Sequence, residues 1–269
     1  MRNGLIRRHS LPVRISHWIN VLCMTVLLGS GLQIFNAHPA LYWGERSDFD
    51  HPALAMGAEP AGNDRMAGTS TILGHSFDTT GVLGLSGGME RGFPAWATLP
   101  GPQWLAMGRR WHFFFAWIFV VNGVLYAAYA VASRHLWRDL LPSRHDLGHI
   151  GRSVWDHARL RFPKGEAARR YNVLQKLSYL IVVFGLGPLM VLAGMTMSPW
   201  LDASFPWLLD LFGGRQSART IHFITAFVFL AFVIVHLLMV LLSGVWNNTR
   251  SIITGRYAIE EPRGHDATD

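Results

Sequence analysis

Four stretches of the chain lose their charged positions entirely: residues 15–35, 111–132, 177–200 and 221–246. The last, IHFITAFVFLAFVIVHLLMVLLSGVW, runs for 26 residues without Asp, Glu, Lys or Arg, and its only titratable side chains are His222 and His236. About 20 apolar residues in a helix cross the hydrocarbon core of a bilayer, so each stretch is predicted to span a membrane. The expected fold is all-α, an integral membrane four-helix bundle. Gly185, Gly187 and Pro188 predict a kink in the third span.

Between the spans the polar residues segregate by sign. The start, MRNGLIRRHSLPVRISHW, carries Arg2, Arg7, Arg8 and Arg14 ahead of the first apolar run. A basic start of this kind also opens signal peptides, but the run is long for one and no clear A-x-A site follows, so it reads as a retained span. Residues 36–108 form a long connection with three basic residues against seven acids. Its ends, NAHPALYWG and FPAWATLPGPQWL, have the aromatic content of a membrane interface. Its middle, around AEPAGNDRMAGTS, reads as a mobile turn region. Residues 133–170 hold nine Lys or Arg against four acids, and HDLGHIGRSVWDHARLRF within them suits an amphipathic helix on anionic lipid. The tail adds Arg250, Arg256 and Arg263. Four spans put both termini on one face, and the positive-inside rule makes that face cytoplasmic. The expectation is a bacterial inner-membrane protein with a basic cytoplasmic loop and a long periplasmic one.

Composition changes this picture little. A formal charge of +7 would suggest nucleic acid in a soluble protein. In a chain that is 50% hydrophobic, the cytoplasmic loops account for the charge, and no nucleic-acid partner is expected. Cys23 is the only cysteine, which excludes an internal disulfide, a cysteine-ligated iron–sulfur cluster and a C-x-x-C-H attachment site.

The chemistry lies with the histidines. His222 and His236 are 14 residues apart, roughly 21 Å along a helix axis and within about 40° of one another around it. They look to one side of the bundle, one near each membrane face. A single histidine in an apolar run is often just bonded to a neighbouring carbonyl. An ionisable group in a membrane is nevertheless a functional hypothesis by default, and two on one stripe strengthen it. Topology supplies partners at matching depths. His17 opens the first span on the cytoplasmic side, and His112 opens the second on the outer side. The expected pairs are His17 with His236 and His112 with His222, each clamping the iron of a non-covalent b-type haem. Arg109, Arg110 and Arg219 flank the outer pair, while Arg8 and Arg14 flank the inner one. They read either as partners of haem propionates or as snorkelling flanks. Gly29, Ser30 and Gly31 would admit a close neighbour or a flat macrocycle, or serve simply as packing positions. His38, His51 and His75 in the long connection are weaker ligand candidates.

R-x-S-H-W at 14–18, R-R-W-H-F-F at 109–114 and the H-x13-H of the last span resemble the di-haem cytochrome b family. That family includes the membrane subunits of nickel–iron hydrogenase, formate dehydrogenase and thiosulfate reductase. IFNAHPALYWG at 34–44 and GVWNNTRSIITGRY at 244–257 look most like the thiosulfate reductase branch. The likeness covers nearly the whole chain, weakest over 55–80, and the four histidines match the family's ligand positions. It implies a single di-haem domain over residues 1–269 that carries electrons between the quinone pool and a periplasmic molybdenum-type oxidoreductase. It also implies a quinone site beside the inner haem, where Asn20, His9, His135 and Asn247 are candidates. The connection at 36–108 is longer than in the hydrogenase and formate dehydrogenase subunits, so their docking geometry need not transfer. Two other readings stay open. One is a stand-alone b561-type quinone-linked cytochrome, for instance one oxidising superoxide. The other is a non-haem membrane anchor or transporter.

Overall fold

A computed structural model describes residues 3–63, 65–148, 150–159 and 172–260. Among the described residues, four helical stretches are long and apolar enough to cross a membrane: Leu11–Phe35, Leu105–Ala132, Val173–Met195 and Arg215–Leu242. The bundle of four apolar helices expected from the sequence is observed, in a mostly helical chain that also carries short sheets. The chain falls into two compact units. The first is drawn from Met1–Trp18, Asn122–Gly187 and Phe229–Asp269, the second from Ile19–Val121 and Pro188–Val228.

The first unit contains β1 (Asn3–Arg7) and the start of α1 (Leu11–Phe35). Pro12 sits in the first turn of α1, where a missing N–H leaves no bond unmade. β1 pairs antiparallel with β8 (Arg256–Glu260), bringing the two ends of the described chain together. The basic connection forms two short helices, Arg144–Gly148 and Ile150–Ala158. Leu147, Val154 and Trp155 are exposed on them. The remainder of that segment, with Arg161, and the basic residues Lys164, Arg169 and Arg170 lie outside the described residues. Lys176 Nζ donates to Asp146 at 2.8 Å and pins this region to the third span.

That span opens at α5 (Val173–Tyr179), where Asn172 and Gln175 form a reciprocal capping box. The predicted kink is a π-helical stretch, Leu180–Leu186, followed by α6 (Gly187–Met195). Pro188 has no N–H to continue the i to i−4 ladder, and the widened turn absorbs the mismatch. The fourth span ends at Leu242, four residues short of the expected boundary, because Gly244 at φ 109° breaks the helix. Beyond it lies a separate helix, Val245–Thr254.

The second unit contains most of the long connection, and here the structure departs from the mobile turn region expected around AEPAGNDRMAGTS. Those residues form a β-hairpin, β3 (Leu54–Pro60) with β4 (Met66–Ile72), in a four-stranded antiparallel sheet ordered β2-β3-β4-β5. β2 (Ala40–Leu41) and β5 (His75–Asp78) are its edges. A second hairpin pairs β6 (Gly84–Ser86) with β7 (Met89–Arg91). The sheet rests on a buried apolar cluster of Phe35, Leu41 and Phe93, packed against Phe223 and Phe227. Residues 42–44 cap the fourth span: the Gly44 carbonyl accepts from the N–H groups of Gln216 and Ser217 at 3.0 and 3.1 Å. These donors belong to the first turn of a helix and have no partner within it. The third span stops at Met195 rather than Trp200. A turn follows, and then the short helices Pro199–Ser204 and Trp207–Phe212.

The Leu99 N–H donates to the Gly29 carbonyl of α1 at 3.1 Å, and Asn36, the residue after α1, holds the far end of the connection. Asn36 Oδ1 accepts from the Phe93 N–H at 2.7 Å, and Asn36 Nδ2 donates to the Phe93 carbonyl at 3.0 Å. Asn36→Ala leaves both backbone groups half-buried and unpaired, a cost of about 1–3 kcal/mol each if no water replaces them. Amide hydrogen exchange should show faster exchange at Phe93 and across β6–β7. Unchanged protection there would remove Asn36 as the anchor.

Candidate functional site

Two pairs of imidazoles face one another across helices, one pair in each unit. In the second unit, α2 (Leu105–Ala132) carries His112 and α9 (Arg215–Leu242) carries His222. Their ring centres lie 6.2 Å apart with the planes at 65°. In the first unit, His17 of α1 and His236 of α9 have ring centres 6.4 Å apart at 56°. The structure thus brings together both pairs predicted from depth alone.

The second unit's pair is oriented by its neighbours. The Ser30 hydroxyl donates to the Val26 carbonyl at 2.7 Å, leaving a lone pair to accept from His112 Nδ1 at 3.1 Å. His222 Nδ1 donates to the Met190 carbonyl of α6 at 3.0 Å, and a carbonyl can only accept. Both imidazoles therefore carry their proton on Nδ1, and each keeps a bare Nε2 lone pair, the form that binds a metal. Space around them is reserved by small residues. A Cβ at Gly31 would stand 3.4 Å from His112 Cε1, and one at Gly194 would stand 3.1 Å from His222 Cε1. Gly29 serves another purpose, since a Cβ there would meet the Leu99 side chain at 2.8 Å. The serine, the glycines and the third-span carbonyl matter more than their bland residue types suggest. The triplet at 29–31 was visible in the sequence, whereas Met190 and Gly194 carried no signal.

The first unit's pair is held differently. Trp18 meets the His17 ring edge-on at 5.4 Å, and Phe232 stacks on His236 at 5.9 Å and 19°. Asn122 donates to the Ser16 carbonyl and hydroxyl at 3.2 and 3.1 Å, satisfying a buried amide one residue from His17. His17 Nδ1 is buried with no hydrogen-bond partner among the described residues.

The flanking cations differ in their partners, and Arg109 lies over the Phe113 ring at 5.9 Å. Arg14 donates to the Ile253 carbonyl, while its Nε is buried without a partner among the described residues. Arg219 donates to the His38 carbonyl at 2.6 Å and lies over the Phe35 ring. Arg109 and Arg110 are exposed at the start of the second span.

The loop histidines stand apart from both pairs. His38 stacks on Tyr42, and burial, then Arg219, push its pKa below the ordinary value. His51 pairs with Asp48, and His75 starts the exposed edge strand β5. Asn247 is occupied in bonds to the Ala258 backbone and Arg250.

The pair geometry fits a bound iron. Metal–imidazole bonds of about 2.0 Å on opposite sides of one ion, carried on to the ring centres, set those centres about 6 Å apart. Plain aromatic contacts reach the same spacing, about 4.5–7 Å between ring centres, so the discriminating feature is the tautomer of the second unit's pair: two imidazoles hydrogen-bonded to each other would not both hold their protons on Nδ1.

Comparison with known proteins gives the same class. The family described as prokaryotic cytochrome b561 matches residues 8–62 and 66–255. A curated relative from Azospira oryzae, a putative protein-methionine-sulfoxide reductase subunit called YedZ1, is 26% identical over 234 residues, 87% of this chain and 90% of its own. No solved structure gives a significant match.

Proposed function

Because the chain belongs to the prokaryotic cytochrome b561 family, a family of b-type haem proteins of the membrane, we propose that it is a di-haem electron conduit, the membrane subunit of a two-part oxidoreductase. One haem is held by His17 and His236 near the cytoplasmic face, the other by His112 and His222 near the periplasmic face. The observation that carries this reading is that the histidines meet as two pairs, 6.4 and 6.2 Å between ring centres, with the second unit's pair holding its protons on Nδ1 and so keeping both Nε2 atoms for a metal. Bound haem supplies one-electron chemistry at its iron. The protein's own contribution is to hold the imidazoles. Ser30 and the Met190 carbonyl keep the proton of each ring on Nδ1, and hydrogen bonds of this kind orient a ligand and raise its basicity. Arg14, with its uncommitted Nε, is the cation for propionates at the cytoplasmic pair, and Arg109, Arg110 and Arg219 serve the periplasmic pair.

The partner is read from two likenesses. The relative's printed name makes it a subunit of a reductase acting on oxidised methionine in proteins, and resemblance to the thiosulfate reductase branch points to a molybdenum-type partner. On this reading quinone exchanges electrons at the cytoplasmic pair, the periplasmic pair passes them to the partner, and both termini lie in the cytoplasm of a bacterium with the chain in its inner membrane. The folded segment at 36–104 supports a partner over a stand-alone quinone-linked cytochrome, because a self-sufficient cytochrome has no use for an anchored sheet of four strands.

Purified chain should contain about two haems. His17→Ala or His236→Ala should remove one and spare the other, while His112→Ala or His222→Ala should do the reverse, read as reduced-minus-oxidised spectra with haem quantification. Loss of the same spectral component from His17→Ala and His112→Ala would overturn the pairing.

Ser30→Ala removes the acceptor that holds the His112 tautomer. It should weaken haem retention at the periplasmic pair by about 10- to 100-fold and leave the cytoplasmic pair unchanged. Equal effects on both components would mean that Ser30 only packs.

A further inference from the structure

A cavity of about 190 Å³ opens in the first unit, walled by the end of β1, the residues leading into α1 and those following α2. Three arginines line it, Arg7, Arg8 and Arg138, together with His9, His135 and Tyr129. Among the described residues its only carboxylate is Asp139, which is already held by His135 Nδ1 at 2.7 Å and by Arg138 at 3.0 Å. Two guanidinium charges are therefore left without an anion in the wall. Val13 is the one aliphatic lining residue. That lining is wrong for a quinone ring, which needs a mostly apolar slot with a few polar groups.

The fold holds these cations in place against repulsion. β1 and β8 pair with Arg7 opposite Arg256, and directly opposed residues of an antiparallel pair share a face. Like charges so placed are destabilising unless something negative sits between them. The Arg8 N–H donates to the Gly255 carbonyl at 2.8 Å, and its guanidinium lies over the Tyr257 ring at 4.5 Å, leaving the edge of the fork for other acceptors. His9 is pushed down to about 4, by burial first and then by Arg8, so at cellular pH it offers a neutral imidazole and adds no further charge.

The position adds a second constraint. Residues 7–10 run into the first span at Leu11, and residues 135–139 follow the second, which ends at Ala132. Leu11, Ile15 and Trp137 are each more than 45% exposed, an apolar surface at the depth where hydrocarbon meets headgroups. Concentrated guanidinium charge in a cleft beside an exposed apolar skin suits a phosphate whose other end is greasy.

We propose that this cavity is a phosphate-recognition site, in which Arg7 and Arg8 bind the phosphate of an anionic phospholipid headgroup or a free phosphate of the same chemistry. Guanidinium forks match phosphate oxygens two at a time, which an ammonium does not. The inference needs only the membrane placement and is independent of how many haems the chain holds.

The test uses the full chain in neutral detergent, with haem content read in every sample so that a failure of cofactor binding is seen separately. Phosphatidylglycerol, phosphatidylcholine and inorganic phosphate are added at matched ionic strength. Melting temperature and lipid retained in native mass spectrometry are the readouts. Phosphatidylglycerol should raise the melting temperature and remain bound where phosphatidylcholine does not, since a ligand of the folded state stabilises it. R7Q/R8Q should lose both effects, whereas R46Q/R65Q, exposed basic residues of the 36–108 connection, should keep them. Should R7Q/R8Q not fold, R7K/R8K, which preserves the charge and removes the fork, should retain about tenfold less lipid. Protection by inorganic phosphate that R7Q/R8Q abolishes would support the site and name free phosphate as its source. The proposal is overturned if neither phosphatidylglycerol nor phosphate protects, if R7Q/R8Q responds like the parent, or if R46Q/R65Q loses as much.

Discussion

An imidazole has two nitrogens, and hydrocarbon satisfies neither. At His112 and His222 the protein answers Nδ1 of each ring and sets the two rings against one another, 6.2 Å between centres. Much of the second unit follows from that arrangement. α1 must offer a hydroxyl at Ser30 and no side chain at Gly31, because His112 occupies both places. α6 must bring the Met190 carbonyl and the bare backbone of Gly194 against His222. Histidines that merely filled a core would not require two other helices to yield space and hydrogen bonds in this pattern.

Much of this was legible in the sequence, and for physical reasons. A span is encoded locally, by the absence of charge over about 20 residues, so its existence does not depend on what it packs against. Depth is encoded locally too, by a residue's distance from the end of its span, which is why His17 could be matched with His236 and His112 with His222 before any contact was known. The ends of the spans were less accurate where backbone rather than composition decides them. Trp246 is as apolar as Leu242, but Gly244 at φ 109° turns the chain between them. The partners of Nδ1 were illegible for a different reason. Met190 acts through its carbonyl, and a carbonyl is the same in every residue type.

The sheet in the long connection was missed because LAMGAEP has no β-branched or aromatic residue, and Gly57, Pro60 and Gly68 read as turn signals within the paired strands. LAMGAEP and MAGTSTI pair in register from Leu54 opposite Ile72 to Pro60 opposite Met66. What holds them is the cluster under them, Phe35, Leu41 and Phe93 against Phe223 and Phe227, whose members come from three distant parts of the chain. That burial is tertiary, so a local window could not see it. The same cluster begins one residue after His222, and it fixes the sheet to the stretch of α9 that presents that imidazole.

The buried residues explain why the histidine pairs matter to the fold as well as to chemistry. In water the interior is chosen by the hydrophobic effect, but between helices in lipid that force vanishes, and small residues, polar contacts and close packing must associate them. The spans show the consequence. Ile234, Val235, Leu237, Leu238 and Leu241 of α9 face outward, while Ser16, Ser30, Asn122, Thr220 and Thr225 are buried. Asn122 fastens α2 to α1 through Ser16 in one unit, and Thr220 fastens α9 to the Tyr42 carbonyl in the other. Each imidazole pair belongs to this series of polar fasteners, joining α1 to α9 in the first unit and α2 to α9 in the second. A metal shared between two such rings would be stronger than any of the hydrogen bonds, so on the proposed reading the haems close the bundle that positions them.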